Sequence, residues 1–131
     1  MTIQFFIAMQ PPTITAQQHK VTVVKGKPRF YDPRELKEAK EALKARLAKF
    51  APEVPYTGGI RLTTRWCFPV VAGHKDGEYR TTRPDTENIQ KALKDVMTDL
   101  RFWKDDALVA SELIEKFWAE VPGLFIRIEP L

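Results

Sequence analysis

With 131 residues, of which 44% are hydrophobic, 11% aromatic and 29% charged, the chain has the length of one domain and enough apolar content to bury one core. That composition excludes fibrous, collagen-like and wholly disordered chains, and the longest apolar run, Phe5 to Met9, falls far short of the roughly 20 residues a membrane-spanning helix requires. The net charge of +4 is uneven: residues 1–83 hold 15 Lys/Arg and 7 Asp/Glu, whereas residues 84–131 hold 6 and 10, so a basic part suited to phosphates or to plain solvation precedes a carboxylate-rich part suited to a hard cation.

In chain order, residues 2–9 are rich in β-branched and aromatic side chains, stop at Pro11-Pro12, and read as a strand. No basic leader precedes them, so the expectation is a soluble, intracellular protein without a signal peptide. After a loop, Val21–Val24 and Arg29–Tyr31 flank a Lys25-Gly26-Lys27 turn and read as a hairpin, made basic by Lys20, Lys25, Lys27 and Arg29. Asp32 as N-cap, Pro33 at the first helical position and Glu35 three residues past the cap predict a helix. Its apolar face is Leu36, Ala39, Leu43, Leu47 and Phe50, and Pro52 ends it.

Gly58-Gly59 interrupts the chain, and residues 60–68 read as a strand ended by Pro69. Ile60, Leu62, Thr64, Trp66 and Phe68 share one face, with Arg61, Arg65 and Cys67 on the other. Cys67, the single cysteine, excludes an internal disulfide and a multi-cysteine zinc site, and no setting that would lower its pKa is visible. A polar loop carrying Lys75, Arg80 and Arg83 leads into Pro84-Asp85. There Ile89, Ala92, Leu93, Val96, Met97 and Leu100 recur at i, i+3, i+4, i+7, i+8 and i+11, the strongest helical pattern in the chain. Residues 107–118 fit either a helical stripe or a strand, and residues 124–128 read as a final strand after Pro122-Gly123.

Chemistry is concentrated around this second helix. Asp85 and Glu87 fall at its start, where unpaired N–H groups and the helix dipole favour carboxylates for purely structural reasons. Lys91 lies one turn beyond Glu87, itself an ordinary ion-pair spacing. Asp105-Asp106 add two more carboxylates, and carboxylates that converge repel one another unless a cation sits between them. An all-oxygen set selects Mg²⁺, with Mn²⁺ as an alternative, over zinc. His19 and His74 lie in polar loops without ligand spacing, and neither a Gly-rich phosphate loop nor a Ser-His-Asp signature is present.

The run Arg83-Pro84-Asp85-Thr86-Glu87-Asn88-Ile89-Gln90-Lys91-Ala92, followed by Phe102-Trp103-Lys104-Asp105-Asp106-Ala107, resembles the RusA family of Holliday-junction resolvases, whose pattern is approximately Asp-x-Asp-Asn-x-x-Lys, a helix, then Asp-Asp and a small residue. The likeness extends over nearly the whole chain. It implies one α+β domain, a mixed β-sheet with two main helices, forming a homodimer in the cytoplasm of a bacterium or phage-infected cell. It further implies an endodeoxyribonuclease that resolves four-way DNA junctions by paired symmetric nicks, with Mg²⁺ held by Asp85, Glu87 and Asp106, and no small-molecule cofactor. A non-catalytic branched-DNA-binding protein on the same fold, or a nuclease for other branched DNA, is the alternative. Lys91 matches the lysine that acts at the scissile phosphate, and Asn88 and Asp105 match supporting positions. Glu87 stands where the family more often has Asp. The DNA-backbone candidates are Lys20, Lys25, Lys27, Arg29, Lys75, Arg80, Arg83 and Lys116. The same resemblance reads residues 110–118 and 124–129 as a hairpin.

Overall fold

The computed structural model describes residues 1–13, 20–24, 27–31 and 34–131. The chain runs through β1 (Ile3–Ala8), β2 (Lys20–Val24), β3 (Lys27–Tyr31), α1 (Arg34–Leu47), β4 (Ile60–Pro69), α2 (Thr86–Asp99), β5 (Val109–Ala119) and β6 (Gly123–Pro130), with 3₁₀ turns at Ala48–Phe50 and Asp106–Leu108. This is an α+β domain built on a mixed four-stranded sheet, ordered β1-β6-β4-β5, with β2 and β3 pairing as a separate antiparallel hairpin. Asp32 and Pro33, expected to start the first helix, lie outside the described residues, as do Lys25 and His19. No helix among the described residues is long and apolar enough to cross a membrane.

The period-two pattern of β4 dictates its central place. Ile60, Leu62, Thr64, Trp66 and Phe68 are each at most 1% exposed, and the face they form receives the helices. Ile89, Leu93, Val96 and Met97 of α2 join Leu43 and Leu47 of α1 in one core with Leu124, Ile126 and Ile128 of β6. Each fully buried side chain of this size contributes about 1.5–3 kcal/mol. Phe5 of β1 stacks on Phe50 just past α1 (4.1 Å between ring centroids), and Lys40 reaches Asp95 at 3.4 Å to link the two helices.

β5 and β6 are strands, but they do not form the expected hairpin. β5 runs parallel to β4 with Trp66 beside Lys116, and β6 runs antiparallel to β4 on its other side with Trp66 beside Leu124. The short connection between them therefore passes over the end of β4. Two physical constraints explain this. The α2 crossover returns the chain beside β4 in the parallel sense. The most buried strand must also have a neighbour on each edge to satisfy its backbone N–H and C=O groups.

Gly123 begins β6 opposite Ala8, and a Cβ at this position would fall against the Phe6 ring and the Ile7 carbonyl oxygen. Because one obstacle is backbone, Gly123→Ala is expected to cost about 3 kcal/mol, the upper part of the usual overpacking range. Urea unfolding measures this, and an unchanged midpoint would contradict it.

Candidate active site

The start of α2 presents its polar side chains to solvent. Pro84 is buried and follows a cis peptide bond with Arg83, while Asp85, Glu87 and Lys91 are exposed. Asp85 occupies the N-cap position with an extended backbone (φ −69°, ψ 145°), and the Ile89 N–H donates to its carbonyl at 3.1 Å. Its carboxylate, however, makes no capping hydrogen bond. Its partner is instead the Asn88 side-chain amide, whose Nδ2 lies 3.5 Å from Oδ2. An N-cap aspartate normally satisfies a first-turn N–H. Here the carboxylate remains exposed beside Glu87, with Lys91 one turn further along.

Asp105 and Asp106 lie at the opposite end of the helix. Asp105 Oδ1 accepts from the Ala107 N–H at 2.8 Å and caps the 3₁₀ turn, which gives it a structural role. Asp106 is exposed in a cleft of about 360 Å³ lined also by Asp95, Thr98, Asp99, Lys104 and Asp105. Because α2 spans Thr86–Asp99, its two ends are separated by about 20 Å at 1.5 Å per residue. The sheet register agrees: Val109, just after Asp106, sits beside Ile60 at the start of β4, whereas Lys116 sits beside Trp66 near its end. Among the described residues no three His, Cys, Asp or Glu side chains gather to hold a metal ion. One chain therefore brings Asp85, Glu87, Asn88 and Lys91 together and leaves Asp106 apart, and it does not form a three-carboxylate cation site.

The basic candidates divide by environment. Lys75 and Arg83 are exposed in the loop before α2. Arg80 and Lys116 turn toward the protein, onto the backbone of residues 82–84. The backbone of Lys20 falls in β2 and that of Lys27 and Arg29 in β3. His74 stacks on Trp118 (4.7 Å between centroids) and contacts Glu78 at 3.2 Å. The loop is also stitched to the outer edge of β5: the Gly77 N–H donates to the Trp118 carbonyl, and the Trp118 N–H to the Glu78 carbonyl, each at 2.8 Å.

Cys67 is partly buried, and burial pushes its thiol above the ordinary value of 9.0, with the nearby Asp76 charge acting in the same direction and Arg65 opposing it. Thiolate is the reactive form, so the alkylation rate at pH 8 is expected to fall below that of a free cysteine and to rise with pH to a later midpoint. A rate equal to or above that of the free thiol, measured with iodoacetamide, would contradict this.

Gln90 is a buried polar residue that no motif in the sequence singles out. It is 1% exposed, and its Oε1 accepts from Thr64 Oγ1 at 2.9 Å and from Trp66 Nε1 at 3.0 Å. Its Nε2 donates to Glu112 Oε2 at 3.1 Å, and Lys94 reaches the other oxygen of that carboxylate at 3.3 Å. This network fixes the first turns of α2 against β4 and β5. The signal was present in the sequence: Gln90, Leu93 and Met97 share helical spacing, so a polar side chain stood on the apolar face and required buried partners.

Residues 10–129 match the family described as Endodeoxyribonuclease RusA. Among curated proteins, the crossover junction endodeoxyribonuclease rusA of Lactococcus phage r1t is 31% identical over 111 residues, 83% of each chain. The uncharacterized protein YqaN of Bacillus subtilis (strain 168) is 25% identical, covering 96% of this chain and 94% of its own.

Proposed function

Since the chain belongs to the RusA endodeoxyribonuclease family, we propose that it resolves four-way DNA junctions by paired, symmetric, divalent-cation-dependent hydrolysis of phosphodiesters. The observation that carries this reading is the Asp85 carboxylate, placed at a helix N-cap yet unused as a cap, beside Glu87, Asn88 and Lys91. Asn88, Lys91 and the first-turn N–H groups of a helix suit a phosphate, whereas the Asp85 and Glu87 carboxylates approach one only with a cation between them. Lys91 places an ammonium near the scissile phosphate, and Asn88 orients Asp85 through its side-chain amide. Hydrolysis leaves a 5′-phosphate and a 3′-hydroxyl, so the nicks are suitable for ligation.

A cation site that joins Asp106 to Asp85 and Glu87 requires more than one chain. Asp85 and Asp106 are separated by the length of α2, about 20 Å, which no side-chain movement spans. In a two-fold homodimer, each chain's Asp85 end can face the Asp106 end of a second copy, giving two equivalent sites. A Mg²⁺ or Mn²⁺ ion held there would supply charge stabilisation to the phosphoryl oxygens and an activated water. Asp85, Glu87 and Asp106 are the proposed ligands. Glu87, one methylene longer than Asp, changes the reach of the first-turn ligand. Two sites related by symmetry match two opposed strands of a four-way junction. Lys75 and Arg83, with Lys20, Lys25, Lys27 and Arg29 of the hairpin region, are the proposed phosphate contacts, positioning the junction by charge and shape.

The test is cleavage of an end-labelled synthetic four-way junction in Mg²⁺, beside a flap and a linear duplex. Symmetric paired nicks in the junction alone support the proposal. Comparable cleavage of the flap makes the chain a general branched-DNA nuclease. Tight binding without nicking in either Mg²⁺ or Mn²⁺ makes it a non-catalytic junction-binding protein.

A further inference from the structure

Three consecutive backbone carbonyls immediately before Asp85 are each held by a cationic side chain. Lys116 Nζ donates to the Thr82 carbonyl at 2.7 Å and to the Pro84 carbonyl at 2.6 Å. Arg80 Nη2 donates to the intervening Arg83 carbonyl, and its Nε donates to Thr82 Oγ1 at 3.1 Å. The two cations are themselves tied together, because the Arg80 N–H donates to the Lys116 carbonyl at 2.9 Å. The Arg80 guanidinium also lies against two aromatic rings, 4.3 Å from the Phe68 centroid and 4.5 Å from that of Trp118.

This arrangement does not suit a phosphate contact. A lysine ammonium has three donors, and two of those on Lys116 are directed at carbonyls inside the chain. Burial depresses the Lys116 ammonium, the Arg80 charge adds to that, and Asp85 opposes it, which places all three charges in one neighbourhood. Burial likewise lowers Arg80. The exposed Lys75 and Arg83 are better placed to meet DNA.

We propose that Lys116 and Arg80 are positioning residues for the hydrolytic site: by clamping the carbonyls of residues 82–84 they set the extended backbone at Asp85, which keeps its carboxylate off the helix cap and directed at the reaction. The proposal rests on the hydrolytic reading of Asp85. It predicts that both residues act on turnover through Asp85 and contribute nothing to the grip on the junction.

The experiment compares wild type with Lys116→Met, which keeps the apolar stem, with Lys116→Arg, and with Arg80→Met as an independent break of the same clamp. Hydrogen exchange at the Ile89 amide, which donates to the Asp85 carbonyl, is expected to accelerate about tenfold in both Met variants and to return toward wild type in Lys116→Arg. Junction affinity without divalent cation, and its dependence on salt, are expected to stay unchanged, while turnover falls about 10- to 100-fold at unchanged KM, as for residues that orient a ligand from behind. A shallower salt dependence with weaker junction binding would overturn the proposal and make Lys116 a phosphate ligand. Unchanged exchange at the Ile89 amide in both Met variants would overturn it as well. A wild-type chain that cleaves no branched DNA would instead overturn the hydrolytic reading, and the exchange comparison would still decide whether the clamp exists.

Discussion

Asp85→Asn and Asp106→Asn are each expected to lower junction cleavage about a thousandfold, equivalent to about 4 kcal/mol of lost transition-state stabilisation, while junction binding persists. Both substitutions remove charge at exposed positions with little change in shape, so neither is expected to alter folding. The informative arm is the mixture. If the cation site combines Asp85 of one chain with Asp106 of another, a heterodimer of the two inactive variants contains one intact site and one doubly broken site. An equimolar mixture allowed to exchange subunits then regains about a quarter of the wild-type number of sites, assuming random pairing of the two variants in a two-fold dimer. Those sites nick one strand without its symmetric partner. A mixture as inactive as its components would place both carboxylates in the same chain's site. That would require α2 and β5 to rearrange, because about 20 Å of helix now separates them.

Gln90→Leu is expected to lower stability by about 3–4 kcal/mol, because it preserves volume while removing the acceptor used by both the Thr64 hydroxyl and the Trp66 indole N–H. Each donor left buried and unpaired costs about 1–3 kcal/mol. For a domain of this length the loss corresponds to a fall in Tm of about 11–15 °C. Differential scanning calorimetry measures it, and a Tm within about 2 °C of wild type would show that the pair finds other partners or water. Gln90→Glu keeps the acceptor atoms but brings a second carboxylate against Glu112, so it is expected to be destabilising as well, and more so at neutral than at acidic pH, where protonation relieves the repulsion.

Asp85 and Gln90 stand on opposite sides of α2. The outer side, with Asp85, Glu87 and Lys91, is exposed and carries the proposed chemistry. The inner side, with Gln90 among Ile89, Leu93 and Met97, is buried and fixes the helix against the sheet. A site built on a helix packed in this way is more precisely oriented than one on a loop.

The sequence by itself determined the local elements. Period-two alternation identified β4 and its buried face, and the i, i+3, i+4 recurrence from Ile89 to Leu100 identified α2, because each pattern is imposed by where a Cβ points along a strand or helix. The motif around Asp85 and Asp105-Asp106 was sufficient to identify the family. Only the tertiary structure decided which elements are neighbours. Residues 109–119 carry apolar side chains at spacings that fit a helix or a strand, and their pairing with β4 rather than with β6 depends on hydrogen bonds between segments more than 40 residues apart. Sequence spacing likewise set Asp105 and Asp106 close to Asp85 in the chain, whereas a rigid helix of 14 residues holds them at opposite ends. Lys116 and Arg80 read as surface charges on DNA-facing segments. Their contacts with the carbonyls of residues 82–84 arise because β5 brings residue 116 beside the loop that enters α2, a proximity that no local pattern encodes.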